Sequence, residues 1–142
     1  MQRVWSSARI LSFAALSVVG VIGLAGCGTV NTLIAEPKSA IYPTYKEFAP
    51  EAEKLAPTPF IPEDSTNIRI KSHPSTPGTL ITFHTDSPLP EGVCKPGERP
   101  ESPGLNDTWW PTEVPKEVQI CGDWSIFSAF GNYYGETLVS PK

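Results

Sequence analysis

The sequence predicts a mainly β fold: a small antiparallel sheet of about five strands with a C-terminal meander, one short N-terminal helix and a long irregular loop. Residues 67–71 alternate apolar and charged side chains, which is typical of a half-buried strand. The last three apolar runs of the chain are separated by two-residue connections that contain glycine, as in β-hairpins. Both observations favour strands over helices.

The first 26 residues have the composition of an export signal. They contain no proline and only two charged side chains, Arg3 and Arg9, whereas all 16 prolines and all 15 acids follow Cys27. Residues 10–25 are apolar or small apart from two serines. A positive start followed by an apolar run is removed from a mature secreted protein, so we exclude this segment from the fold.

The segment ends in Leu24-Ala25-Gly26-Cys27, which resembles the lipobox of bacterial lipoproteins. The resemblance implies that Cys27 carries a diacylglyceryl group, that the signal is cut before Cys27, and that lipid holds the chain on the extracytoplasmic face of a cell membrane. The alternative is an uncleaved helix over residues 10–26, at the short end of the ~17–25 residues that cross a bilayer. Positive charge stays on the cytoplasmic side, so later residues face outward in either case.

We therefore divide the chain into a signal peptide (1–26), a lipidated proline-rich tether (27–59) and a small disulfide-stapled β domain (60–142). Without the signal, nine Lys and Arg stand against fifteen Asp and Glu, a net charge near −6. This balance argues against nucleic acid or anionic lipid headgroups as direct partners, because both require a cationic face.

The two remaining cysteines, Cys94 and Cys121, form an even pair in an oxidising compartment, so we expect a disulfide between them. It would close a loop of 28 residues and stabilise the fold by roughly 3–4 kcal/mol. The chain has no C-x-x-C spacing for redox work and too few histidines for a zinc site. We expect neither a metal nor a cofactor.

The tether contains the helix candidate. Pro50 and the acids after it favour a helix start, and Pro57 ends it, which predicts a helix of about two turns over residues 50–56. Such a short helix needs Phe48 or Leu55 docked on the domain to persist.

The β domain follows with five expected strands. Pro77-Gly78 is predicted to be the turn between the first two, and Gly122-Asp123 and Gly131-Asn132 are the expected turns of the meander. Residues 86–115, rich in proline and glycine, show no regular element. The expected strands are 67–71, 79–85, Glu117–Cys121, 124–130 and 133–139.

Aromatic residues crowd the last third of the chain. We expect Trp124, Ile126 and Phe130 to lie in the core, because large aromatics dominate the cores of small domains. Trp109 and Trp110 differ, since two adjacent tryptophans in a loop cannot easily both be buried. They are the predicted binding surface for an envelope protein or a glycan.

Catalytic signals are missing from the sequence. His73 and His84 are expected to face each other across the Pro77-Gly78 turn, but two imidazoles alone make a poor metal site. The acids of the loop and the meander show no pairing, and the usual nucleophile, zinc and phosphate-binding motifs do not occur. We predict no enzyme.

Four segments together are similar to small lipoproteins of actinobacteria that have no known activity. They are Leu24-Ala25-Gly26-Cys27, Asn67-Ile68-Arg69-Ile70, Trp109-Trp110-Pro111 and Ile120-Cys121-Gly122-Asp123-Trp124. The expected function is a non-enzymatic structural or binding module of the cell envelope. Two alternatives stay open, an accessory subunit of a membrane complex and a small envelope hydrolase.

Overall fold

The computed structural model describes residues 36–142, which form one open antiparallel sheet of seven strands and one helix. The strand order across the sheet is β1-β2-β3-β7-β6-β5-β4. Within residues 36–142, the helix is too short to cross a membrane. The elements are β1 (Lys38–Thr44), α1 (Tyr45–Ala52), β2 (Thr66–His73), β3 (Thr76–His84), β4 (Lys95–Glu98), β5 (Glu117–Cys121), β6 (Trp124–Ala129) and β7 (Asn132–Thr137).

The mainly β prediction is confirmed, including the antiparallel C-terminal meander of β5, β6 and β7. Each of the five expected strands is present with small shifts at its ends, and β1 and β4 are additional. The β5–β6 turn falls at Gly122-Asp123 as expected, between the register partners Cys121 and Trp124.

The β6–β7 turn lies one residue earlier than predicted. Ala129 and Asn132 are register partners, so Phe130 and Gly131 form the turn instead of Gly131 and Asn132. Both turn residues have positive φ, 52° for Phe130 and 75° for Gly131, as a type I′ turn requires. Phe130 is 86% exposed, so its expected place in the core is wrong, whereas Trp124 and Ile126 are fully buried.

The β2–β3 hairpin also turns elsewhere than predicted. His73 pairs with Thr76, which puts the turn at Pro74-Ser75, while Pro77 and Gly78 lie inside β3. Ser72 and His73 are adjacent in β2, whereas their partners Thr79 and Thr76 are three residues apart, so Pro77 and Gly78 form a bulge in β3. The bulge suits a proline, which donates no ladder hydrogen bond, and a glycine with φ of 111°.

β1 belongs to the folded sheet, although the sequence pattern predicts a tether up to residue 59 and a domain from Phe60. β1 pairs with β2 from Lys38 to Thr44. The helix covers Tyr45–Ala52 instead of residues 50–56, and Pro50 lies inside it. Phe48 is fully buried in the core, and this docking outweighs the hydrogen bond that Pro50 cannot donate.

Both faces of the sheet are covered. On the first face, α1 and the segment after it pack on the sheet, and the Trp124 indole Nε1 donates a 3.3 Å hydrogen bond to the Ala56 carbonyl. On the second face, the loop from 99 to 116 lies over Leu80, Phe127 and Tyr134. The buried residues of the first face are Phe48, Leu55, Ala56, Phe60, Ile61, Ile68, Ile81, Phe83, Cys121, Trp124 and Ile126.

The segment 86–115 was expected to lack regular structure, but it contains β4, which pairs with β5 from Lys95 to Glu98. Beyond β4 the chain is irregular, and two ion pairs hold it against the sheet. Arg99 binds Glu136 of β7, and the Lys71 Nζ of β2 lies 2.9 Å from the Asp107 carboxylate. The long loop is therefore a fixed cover over the second face.

Candidate binding surface

The predicted partner cysteines are bonded in the structure. The Sγ atoms of Cys94 and Cys121 are 2.04 Å apart, and the bond joins the residue before β4 to the last residue of β5. Cys121 is buried beside Trp124 in the first-face core. Cys27 and the signal segment lie outside the described residues.

The predicted Trp109–Trp110 surface is divided between core and exterior. Trp110 is buried, and its ring contacts Phe127 and Tyr134 edge-on with centroid distances of 5.6 and 5.9 Å. Trp109 is half-buried and packs edge-on against Trp110 at 6.0 Å. Trp110 therefore fixes the loop, and Trp109 is the member of the pair that a ligand could reach.

The two histidines lie at opposite ends of the β2–β3 hairpin instead of facing each other. His73 is next to the turn, and its Nδ1 accepts a hydrogen bond from the Ser75 backbone N–H. His84 pairs with Thr66 at the other end of the hairpin. Between residues 36 and 142, no three His, Cys, Asp or Glu side chains group in a way that could hold a metal ion.

The sheet has two distinct ends, which the cross-strand register defines. At one end, here called the Lys38 end, Lys38 pairs with Ser72, Ser72 with Thr79, and Thr79 with Thr137. At the other end, here called the Phe130 end, β1 stops and the β6–β7 turn projects. His84 connects β3 to this turn, because its Nδ1 lies 2.9 Å from the Gly131 carbonyl oxygen.

A cleft opens toward the Phe130 end where β5 and β6 separate. Their register covers three residue pairs and ends at Gln119 and Ile126. Beyond that point β5 stays with β4, whereas β6 stays with β7 up to Ala129. The space between the two arms is about 660 Å³, within the ~300–1,000 Å³ range of small-molecule sites.

The cleft is lined by both apolar and acidic residues. The buried residues Ile126 and Phe127 lie at its floor, and Ser128 also lines it. Glu98 and Glu117 also line it and are register partners on adjacent strands. Like charges opposite each other repel, so this edge of the cleft favours a positively charged group.

Phe130 is the most unusual residue of the Phe130 end. A bulky side chain with positive φ is rare, because the left-handed conformation brings Cβ close to the following carbonyl oxygen. Asparagine or glycine is the common choice at such a turn position. Phe130 nevertheless combines this backbone with a ring that is 86% exposed, two residues after Ser128 of the cleft.

Further carboxylates lie near this end. Asp64 accepts hydrogen bonds from the hydroxyls of Thr85 and Ser87 at 2.8 and 3.0 Å. The bond from Thr85 is the main cause that lowers the pKa of Asp64. Asp86 is fully exposed, with its Oδ1 3.6 Å from the His84 Nε2. Several carboxylates therefore lie at the Phe130 end together with one exposed aromatic ring.

The sequence does not reveal this surface, for two reasons. The pattern ends a strand at Phe130 and predicts the turn at Gly131-Asn132, whereas a turn one residue earlier exposes the ring. The cleft depends on β4, which has no apolar alternation to reveal it.

No protein-family model, no curated protein and no solved structure matches the chain.

Proposed function

We propose that the protein is a non-enzymatic binding module of the cell envelope, anchored to the extracytoplasmic face of the membrane by lipid on Cys27. The Leu24-Ala25-Gly26-Cys27 segment supports the anchor. The Cys94–Cys121 disulfide supports an oxidising compartment and uses two of the three cysteines, so Cys27 remains for lipid. This division of the cysteines is the observation that carries the proposal.

The proposed binding surface is the Phe130 end of the sheet. Its support is the exposed ring on a backbone that disfavours it, next to a cleft of about 660 Å³. Backbone strain of this kind is retained where the side chain has a function, because a residue that suits the left-handed conformation would make the fold more stable. The partner is an envelope protein or a glycan. Trp109, half-buried on the second face, is the alternative contact.

An accessory subunit of a membrane complex is the second candidate function. The exposure of Phe130 favours it, because an aromatic side chain that is desolvated in a protein pocket is a typical interface anchor. A subunit would co-purify with an integral membrane protein, whereas a glycan-binding module would be released from the envelope by digestion of that glycan.

The anchor is tested by metabolic labelling with a radioactive fatty acid and by mass spectrometry of the mature N-terminus. We expect the label on the intact protein and its loss in Cys27→Ser. The matched control is the double variant Cys94→Ser with Cys121→Ser, which should keep the label. A mature chain that begins at a residue other than 27, or label that survives Cys27→Ser, would contradict the anchor.

The binding surface is tested with a photo-crosslinking amino acid placed at position 130 in intact cells. We expect a discrete adduct at 130 and none at Thr112, an exposed position on the loop of the second face. An adduct at Thr112 but not at 130 would move the binding surface to the tryptophan loop. Equal labelling at both positions would mean that neither is specific.

A further inference from the structure

The cleft lies between two strands that continue after their mutual pairing has stopped. The register of β5 and β6 ends at Gln119 and Ile126, so Glu117 and Ser128, which would form a pair two steps farther along the same register, remain apart. β5 nevertheless continues beside β4, and β6 continues beside β7. Each side of the cleft is therefore a strand edge that lacks a neighbouring strand within the described residues.

The main-chain groups of Glu117 point into the cleft. In an antiparallel sheet, successive residues of a strand direct their N–H and C=O groups to opposite neighbours. The Lys116 carbonyl accepts a 2.7 Å hydrogen bond from the Arg99 N–H, so Lys116 faces the β4 side and Glu117 faces the opposite side. The pairing of Gln119 with Pro96, which has no N–H, fits the same alternation.

The main-chain groups of Ser128 point into the cleft from the other side. Ala129 and Asn132 flank the two-residue turn between β6 and β7, and a hydrogen bond between the flanking residues closes such a turn. Ala129 therefore faces β7, and Ser128, one residue earlier, faces away from β7. Ser128 and Glu117 are both exposed, so a ligand can reach these groups.

The charge of the cleft is negative. Glu98 and Glu117 line it, and no basic side chain does. The basic residues that are closest along the chain, Lys95, Arg99 and Lys116, all lie outside the lining. The two register-paired carboxylates therefore have no cation within the cleft, and a ligand that brings one would relieve their repulsion.

We propose that the cleft binds an extended peptide segment with a lysine or arginine, and that this segment pairs as an added strand with the main chain of Glu117 and Ser128. In strand addition, main-chain hydrogen bonds supply affinity and alternate side chains supply specificity. The basic side chain lies beside Glu117, and its two neighbours point to the other face of the sheet, as Val118 and Phe127 do. This inference rests on the proposed binding surface and names its partner as a peptide segment instead of a glycan.

The test uses the mature lipidated protein in detergent micelles and two fluorescein-labelled peptides with blocked ends, Thr-Val-Lys-Val-Thr and Thr-Val-Glu-Val-Thr. Fluorescence anisotropy measures the affinity of each peptide. We expect the lysine peptide to bind about tenfold more tightly than the glutamate peptide. Equal affinities, or no binding of the lysine peptide at millimolar protein concentration, would overturn the proposal.

Variants of the acidic pair test the origin of this preference. Glu98→Gln combined with Glu117→Gln should bring the affinities of the two peptides to within about twofold of each other. The matched control is Glu91→Gln combined with Glu113→Gln, which removes the same charge at two exposed positions outside the cleft and should keep the preference. An equal loss of preference in both double variants would assign it to the overall charge of the protein and overturn the site.

Amide hydrogen exchange, measured by nuclear magnetic resonance, tests the strand pairing. The lysine peptide should slow the exchange of the Glu117 and Ser128 amides and leave the amide of Thr112, on the loop of the second face, unchanged. A lysine peptide with N-methyl groups on its lysine and both valines cannot donate these hydrogen bonds and should not bind. Binding of the methylated peptide, or binding that protects neither amide, would overturn the added strand.

The outcomes separate this inference from the proposed function. A mature chain without lipid on Cys27, or the absence of an adduct at position 130 in cells, would refute the proposed function whether or not the peptide binds. An adduct at 130 together with no binding of the lysine peptide would refute only the added strand. Protection of Ser128 by an oligosaccharide of N-acetylglucosamine, but not by the lysine peptide, would assign the cleft to a glycan and overturn the peptide ligand.

Discussion

Arg99 donates two hydrogen bonds to the buried carboxylate of Glu136, one from Nε to Oε1 and one from Nη2 to Oε2 at 2.9 Å. The Glu136 side chain is 3% exposed and the Arg99 side chain 25%. The Ser102 hydroxyl donates a third bond to Oε2 at 3.3 Å. The bond to Glu136 is the main cause that raises the pKa of Arg99. This contact fixes the start of the irregular loop to the middle of the sheet.

Arg99→Leu should destabilise the domain strongly, because it leaves the Glu136 carboxylate buried without its cation. Breaking a buried ion pair by removing one partner costs about 3–5 kcal/mol, and we expect the lower end since Arg99 keeps some contact with water. Urea unfolding followed by tryptophan fluorescence measures the change. Lys95→Leu, at an exposed lysine of β4, should change stability by less than about 0.5 kcal/mol. Equal losses in both variants would contradict the role of the pair.

The ion pair between Lys71 and Asp107 is the second contact that holds the loop against the sheet, and it is sensitive to acid. The hydrogen bond from Lys71 is the main cause that lowers the pKa of Asp107 from its ordinary value of 3.8. Because the folded pKa is the lower one, the ionised carboxylate stabilises the fold at pH values above about 4. That stabilisation is lost as the pH falls through the lowered folded pKa.

Asp107→Asn should therefore unfold at lower urea concentration than the parent protein at pH 7, and the difference should shrink as the pH falls below about 4 and through the lowered pKa of folded Asp107. Asp86→Asn, at an exposed carboxylate just after β3, is the matched control and should follow the parent at both pH values. A deficit in Asp107→Asn that is the same at pH 7 and at low pH would show that its charge is not what holds the loop.

The sequence predicts the strands that alternate apolar and polar side chains, because a half-buried strand imposes that pattern on its residues. Ile68 and Ile70 indicate β2 in this way. β4 gives no such signal, since Lys95-Pro96-Gly97-Glu98 is a strand only through its pairing with β5 next to the disulfide. The same holds for β1, whose pairing with β2 overrides a proline-rich composition that is typical of a tether.

The candidate site was harder to predict than the fold. Gly131 accepts positive φ at either position of a two-residue turn, so glycine alone does not tell whether Phe130 or Asn132 shares the turn. The pairing of Ala129 with Asn132 decides it. The sequence does not reveal the burial of Trp110 either, because that burial depends on a loop that the ion pairs of Arg99 and Asp107 hold against the sheet.

The Cys94–Cys121 bond should stabilise the domain by constraining the unfolded chain. A sequence separation of 27 residues corresponds to roughly 3–4 kcal/mol of loop-closure entropy. We expect reductant to lower the urea midpoint of the parent protein and to leave unchanged the midpoint of the double variant Cys94→Ala with Cys121→Ala. Thiol alkylation of unreduced, denatured protein should modify neither cysteine, and ready labelling of both would contradict the bond.

Phe130→Asn should stabilise the domain while it weakens binding. A non-glycine residue in the left-handed region costs about 1–2 kcal/mol, and asparagine tolerates that region better than phenylalanine does. We expect a gain of about 1 kcal/mol in urea unfolding, together with loss of the partner that position 130 captures in cells. Phe130→Ala is the matched control, because it removes the ring but lacks the short polar side chain that lets asparagine tolerate the left-handed region. It should lose the partner without the gain in stability, and loss of stability in Phe130→Asn would mean that the exposed ring supports the fold instead of a partner.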